Sequence, residues 1–85
     1  MATIDIYTSK ICPYCMKAKN LLESKGVDYR ELRTDQDATL AEEAVKRSGG
    51  KRTVPQIFID GNHLGGCDEL YELEREGSLD SMLEV

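Results

Sequence analysis

The sequence predicts an α/β fold, a small sandwich in which helices flank a mixed four-stranded sheet. Three observations predict it. Apolar residues switch repeatedly between period-two alternation and helical spacing. Glycine or proline marks most of the switches. The order that results, β-α-β-α-β-β-α-α, interleaves the two element types. Thr3-Ile4-Asp5-Ile6-Tyr7-Thr8 alternates β-branched and aromatic residues with polar ones, and reads as the first strand. Cys12-Pro13 opens a helix, because proline is favoured at the first helical position, where its missing N–H costs nothing. Cys15, Ala18, Leu21 and Leu22 share one face of that helix, and Gly26 ends it. Val27 through Leu32 gives a second short strand. The resulting βαβ unit should cross over right-handedly, with its strands parallel.

Asp35 or Asp37 caps the second helix, whose apolar face is Leu40, Ala41, Ala44, Val45 and Ser48, opposite Glu42, Glu43, Lys46 and Arg47. Gly49-Gly50 breaks it. Gln56-Ile57-Phe58-Ile59 is the third strand, Asp60-Gly61 the hairpin turn, and His63-Leu64 the brief return. After Gly65-Gly66, Cys67 through Glu76 is helical on Leu70 and Leu73. Ser78 caps a last helix presenting Leu79, Met82 and Leu83.

Eighty-five residues fit one domain, 1–85, since a single core takes about 50 to 200 residues. Hydrophobic residues are 40% of the chain and charged ones 32%, which supports a packed core and excludes a disordered chain. Sixteen Asp and Glu against eleven Lys and Arg give a formal net charge of −5. Such a surface has no electrostatic footprint for a phosphate backbone, so nucleic acid is not an expected partner. No apolar run approaches the roughly 20 residues that span a bilayer, and the early Asp5 argues against a signal peptide. Three cysteines leave one over from any pairing. A reducing cytoplasm is therefore expected, where close cysteines are reactive or metal-binding rather than structural.

Cys12-Pro13-Tyr14-Cys15 lies where the first strand meets the first helix, the redox context for a CxxC. Cys12 sits at or just before the first helical residue, where unpaired N–H groups and the helix dipole favour a thiolate. Cys15 lies one turn inside and should be more buried. At i and i+3 the sulfurs share a face and can close a small disulfide. Cys12 is thus assigned as the attacking nucleophile and Cys15 as the resolving thiol. The alternatives are two structural thiols, or a zinc site completed by His63 and Cys67. The zinc site lacks the second CxxC that four-ligand structural zinc usually brings.

CPYC at 12–15, Thr53-Val54-Pro55 and Gly65-Gly66-Cys67-Asp68 occur in an order and spacing that resembles the glutaredoxins, and within them the short bacterial dithiol members. The resemblance covers nearly the whole chain. It implies a thioredoxin fold that uses glutathione as reducing co-substrate, with no permanently bound cofactor. It implies a cis peptide before Pro55. Beside it, the backbone N–H and C=O of Val54 would pair antiparallel with the cysteinyl unit of glutathione. A glycine break before a helix presents bare N–H groups that bind carboxylates. In the family the γ-glutamyl carboxylate lands on such groups, here those of Cys67 and Asp68 behind Gly66, with the Asp68 side chain meeting the ammonium. Tyr14 and Thr53 complete the expected contact set.

The glycyl carboxylate wants a cation. A common family pattern has Lys three residues before the first cysteine, but that position is Ser9 and the lysine is Lys10. Lys10 is therefore the expected ligand, with Arg47 and Arg52 as further candidates. Cys67 is either a small apolar residue at a helix start or a helix-activated thiol open to oxidation or glutathionylation. His63 follows Asn62 in a turn and reads as a surface residue, not a general base.

The mechanism that follows is thiol–disulfide exchange. Cys12 alone suffices for glutathione mixed disulfides, whereas protein disulfides need Cys12 and Cys15. Expected partners are glutathione, glutathionylated proteins, protein disulfides (ribonucleotide reductase among the family's substrates) and, through glutathione, glutathione reductase. Neither membrane nor nucleic acid is expected, and the chain should be a monomer. Two rivals remain: a dimeric iron–sulfur module ligated by glutathione and Cys12, against which Pro13 argues, and a redoxin reduced by thioredoxin reductase, against which CPYC and the glutathione motifs argue.

Overall fold

A computed structural model describes residues 2–85. Strand β1 (Ile4–Thr8) is buried at every position, because it lies inside the sheet with both faces covered. Ile4 and Ile6 point to one side and Tyr7 to the other, and the rest of the chain is arranged around that division. Helix α1 (Pro13–Ser24) follows, then β2 (Arg30–Arg33), α2 (Ala38–Arg47), β3 (Gln56–Ile59), β4 (Asn62–Gly65), α3 (Cys67–Glu76) and α4 (Leu79–Leu83). The sheet order is β2-β1-β3-β4, with β1 parallel to β2 and antiparallel to β3, and β3 antiparallel to β4. The mixed four-stranded sheet is therefore as expected.

On one face Ile4, Ile6, Ile57 and Ile59 pack against Ala18 and Leu22 of α1, Leu70 of α3, and Leu79 and Leu83 of α4. On the other, Tyr7 and Phe58 meet edge to face at 5.7 Å under Ala44 of α2. Asp37 caps α2, its carboxylate accepting the Thr39 N–H at 2.9 Å, so Asp35 is not the cap. The Asp60-Gly61 turn has φ of 53° and 83° at its two residues, the left-handed pair a tight hairpin needs.

Three sequence expectations shift. The second strand begins at Arg30 rather than Val27, since its ladder starts with Arg30 opposite Asp5. Val27 and Tyr29 are apolar because they pack on the core from the connecting segment, not because they pair with β1. Ser78 precedes α4 but makes no side-chain capping bond, its backbone already being helical. In α4 the core residues are Leu79 and Leu83, whereas Met82 is 39% exposed. Among the described residues no helix is long and apolar enough to cross a membrane.

Candidate active site

The loop after β1 delivers Cys12 to the N-cap of α1. Its backbone is extended (φ −148°, ψ 95°), Pro13 occupies the first helical position, and the Cys15 N–H donates to Cys12 Sγ at 3.1 Å. The sulfur thus stands in for the usual capping oxygen. No acidic residue lies in the helix's first turn to offset its positive end. Cys12 and Cys15 are joined by a disulfide, with Cα atoms 5.2 Å apart. Cys12 is 9% exposed and Cys15 only 1%, so Cys12 is the less shielded of the pair.

The Val54–Pro55 peptide is cis, and the Val54 carbonyl oxygen lies 3.8 Å from Cys12 Sγ. Behind this loop the Gln56 side chain donates to the Thr53 carbonyl at 3.0 Å and to the Thr53 hydroxyl at 3.2 Å. Opposite it, the N-terminus of α3 starts at Gly66. A Cβ on Gly66 would sit 3.2 Å from the Pro55 carbonyl, so glycine lets the two walls approach. The Gly66 N–H donates to Glu69 Oε1 at 2.7 Å. That is the returning half of a capping box, since glycine has no side chain to supply the other half. The next N–H groups, of Cys67 and Asp68, have no intrahelical partner by geometry.

Between these walls lies a cleft of about 440 Å³. The structure brings Tyr14, Thr53, Val54, Pro55, Gly66, Cys67 and Asp68 together along it, beside the Cys12–Cys15 pair. It does not bring Lys10, Arg47 or Arg52 there. Lys10 is exposed and outside the lining. Arg47 lies outside the lining, in the last turn of α2, donating to Asp5 at 3.2 Å and to the Tyr7 hydroxyl at 2.8 Å, with its guanidinium 4.1 Å from the centre of the Phe58 ring. Arg52 lines an adjoining depression, which shares Lys51, Thr53 and Val54 with the cleft but reaches Ala41, Ala44 and Val45.

The cation on the cleft is Lys51, which sequence reasoning passed over beside Arg52. Gln56, His63 and Glu69 were also missed. Only Glu69 had a sequence signal, its position three residues after the glycine before a helix. Cys67 corrects one of the two readings given to it. It is 6% exposed, and burial pushes its thiol up, aided by the Asp68 and Glu69 charges and opposed by Lys17. It is the small core residue, not an activated thiol. Among the described residues no three His, Cys, Asp or Glu side chains gather to hold a metal.

The glutaredoxin family model matches residues 4–64. Glutaredoxin 3 of Escherichia coli (strain K12) is 57% identical over 83 residues, which cover 98% of this chain and 99% of that one. The crystal structure of a buckwheat glutaredoxin–glutathione complex superposes with a TM-score of 0.88 at 32% identity, over 98% of this chain and 77% of that one. The solution structure of glutaredoxin from Brucella melitensis does so at 0.82 and 49% identity, over 95% and 87%.

Proposed function

The chain belongs to the glutaredoxin family, and from that premise we propose how its residues divide the work of a glutathione-dependent thiol–disulfide oxidoreductase. The observation that carries the proposal is the position of Cys12, at the N-cap of α1 and 3.8 Å from the Val54 carbonyl, with Cys15 shielded behind it. Once the disulfide is reduced, the Cys15 N–H that now meets Cys12 Sγ stabilises a thiolate there.

The thiolate attacks the glutathione sulfur of a mixed disulfide. The Cys12–glutathione bond forms, the old S–S bond breaks, and the substrate departs as a thiolate that takes a proton from water. A second glutathione thiolate attacks the glutathione sulfur of that adduct, releasing oxidised glutathione and restoring Cys12. For a protein disulfide, Cys12 forms a mixed disulfide with the substrate, and Cys15 displaces the reduced substrate by closing the Cys12–Cys15 bond.

Glutathione lies across the cleft in this reading. Its cysteinyl unit pairs with the Val54 backbone, and its γ-glutamyl carboxylate takes the Cys67 and Asp68 N–H groups. The Asp68 carboxylate meets its ammonium. Lys51 takes the place of Lys10 as partner for the glycyl carboxylate, and Tyr14 and Thr53 flank the tripeptide. The glutathione held by the buckwheat relative supports glutathione as the co-substrate. The remaining assignments are glutathionylated proteins and protein disulfides as substrates, ribonucleotide reductase among them, a cytoplasmic setting and a monomeric state.

Turnover of a small glutathione mixed disulfide, coupled to glutathione reductase and NADPH, tests the division of labour. Cys12→Ser abolishes it, whereas Cys15→Ser retains it and loses only protein-disulfide reduction. Loss of both activities in Cys15→Ser would overturn the assignment, and so would wild-type protein that is folded and reduced yet inactive.

A further inference from the structure

Gln56 and His63 stand beside the cleft with no part in the chemistry above, yet both are tied to its wall. Gln56 opens β3, is 4% exposed, and donates through Nε2 to the Thr53 carbonyl at 3.0 Å and the Thr53 hydroxyl at 3.2 Å. A carbonyl oxygen only accepts, so the amide nitrogen must face Thr53 and Oε1 must face away. There it meets Nε2 of His63 at 2.7 Å. Since Oε1 also only accepts, His63 Nε2 carries the proton in this contact, whichever charge the ring has. The ring is held in turn by Phe58, its cross-strand neighbour, with centroids 5.0 Å apart and planes tilted by 33°.

The consequence lies in the next peptide unit. The Thr53 carbonyl and the Val54 N–H belong to one planar trans peptide, in which they point in opposite directions. Fixing the carbonyl on Gln56 therefore fixes where the Val54 N–H points. We propose that Gln56 is a positioning residue for glutathione: with its amide orientation set by His63, it holds the Thr53–Val54 peptide so that the Val54 N–H is presented to the cysteinyl unit. The relay runs His63 N–H to Gln56 carbonyl, then Gln56 N–H to Thr53 carbonyl. Removing Gln56 frees the Thr53 carbonyl, and removing His63 leaves the Gln56 amide held from the Thr53 side alone. This rests on the proposed pairing of glutathione with Val54.

The test uses the full chain with Cys12→Ser and Cys15→Ser, titrated with glutathione while the backbone amide signals are followed by NMR. In this parent the Val54 amide should shift on saturation. Gln56→Leu and His63→Leu should each weaken binding by roughly tenfold, the cost of one lost backbone hydrogen bond, and should lessen the Val54 shift. His63→Gln, which can still donate to Oε1, should bind as the parent does. In the active protein the same Leu variants should raise KM for the glutathione mixed disulfide and leave kcat unchanged. His63 is exposed, so its variants fold even where a Gln56 variant does not. An unshifted Val54 amide in the parent would overturn the pairing with glutathione and the relay with it. A shifted Val54 in the parent, with parent-like binding in His63→Leu, would overturn the relay alone. Equal losses in His63→Leu and His63→Gln would do the same.

Discussion

Cys12 and Cys67 both stand at the start of a helix, and only one is poised to react. Cys12 is the N-cap, and its sulfur receives the Cys15 N–H. Cys67 is the first residue inside α3, packed in the same cluster as Ile57 and Leu70, and burial there keeps its thiol protonated. The helix dipole acts on both, so the Cys15 N–H on Cys12 Sγ and the desolvation of the Cys67 thiol decide between them. In the reduced protein at neutral pH, iodoacetamide should modify Cys12 first, and Cys67 only when urea unfolds the chain. Mass spectrometry of the alkylated peptides reads this directly. Native-state labelling of Cys67 at the rate of Cys12 would contradict the burial argument. The CPYC pair was legible in the sequence because its chemistry needs only four adjacent residues. Lys51, Gln56 and His63 were not, because their relation to the cleft depends on the cis peptide loop and on β4 lying beside β3. Arg47 was misread for the matching reason: its partners, Asp5 and Tyr7, are set by how α2 packs on β1.

Helix α2 shows how little apolar surface an element needs when a charge cluster holds it. Ala44 is its one buried residue. Arg47, in its last turn, reaches over Phe58 to Asp5 and to the Tyr7 hydroxyl, while Arg30 of β2 meets the same carboxylate at 3.1 and 3.2 Å. Burial by itself would push the Asp5 carboxyl up, but hydrogen bonds and charges from Arg30 and Arg47 together outweigh it and hold it below its usual value. A carboxyl lowered by folding stabilises above the unfolded value, about 4 for Asp, and that contribution is lost as pH falls through the folded value. Urea unfolding should therefore find Asp5→Asn less stable than wild type at pH 7, with the gap closing towards pH 3. A gap that stayed constant, or widened in acid, would show that Asp5 is not held as its carboxylate. Arg47→Ala should cost about 1–3 kcal/mol at pH 7, because it removes the hydrogen bonds to Asp5 and to the Tyr7 hydroxyl. At this scale the sequence was informative about element type, since periodicity is local, and α3 was located to the residue by glycines at both ends. It failed at β2, where Val27 and Tyr29 serve packing rather than pairing.

For the molecule as a whole, the cleft depends on a core that is shared out along the chain. The cluster beneath the sheet takes Ile4 and Ile6 from β1, Ala18 and Leu22 from α1, Leu70 from α3, and Leu79 and Leu83 from the last five-residue helix. A domain of this size holds only about 5–15 kcal/mol in total, so a terminal helix that fills the centre is not an accessory. Lys25 ties the same corner from outside, reaching Glu74 of α3 and Asp80 of α4 at 2.7 Å each. Leu79 is fully buried, and Leu79→Ala should cost about 2–5 kcal/mol by leaving a cavity between α4 and the sheet. The loss should appear as a lower urea midpoint with an unchanged slope, since the surface exposed on unfolding hardly alters. Truncation after Gly77 removes Leu83 as well, and should abolish the cooperative transition. Glutathione turnover by Leu79→Ala should match wild type wherever the variant is folded, because no residue of α4 lines the cleft. If turnover fell while the variant was still folded, α4 would be setting the position of α3, and with it the backbone N–H groups that receive the γ-glutamyl carboxylate.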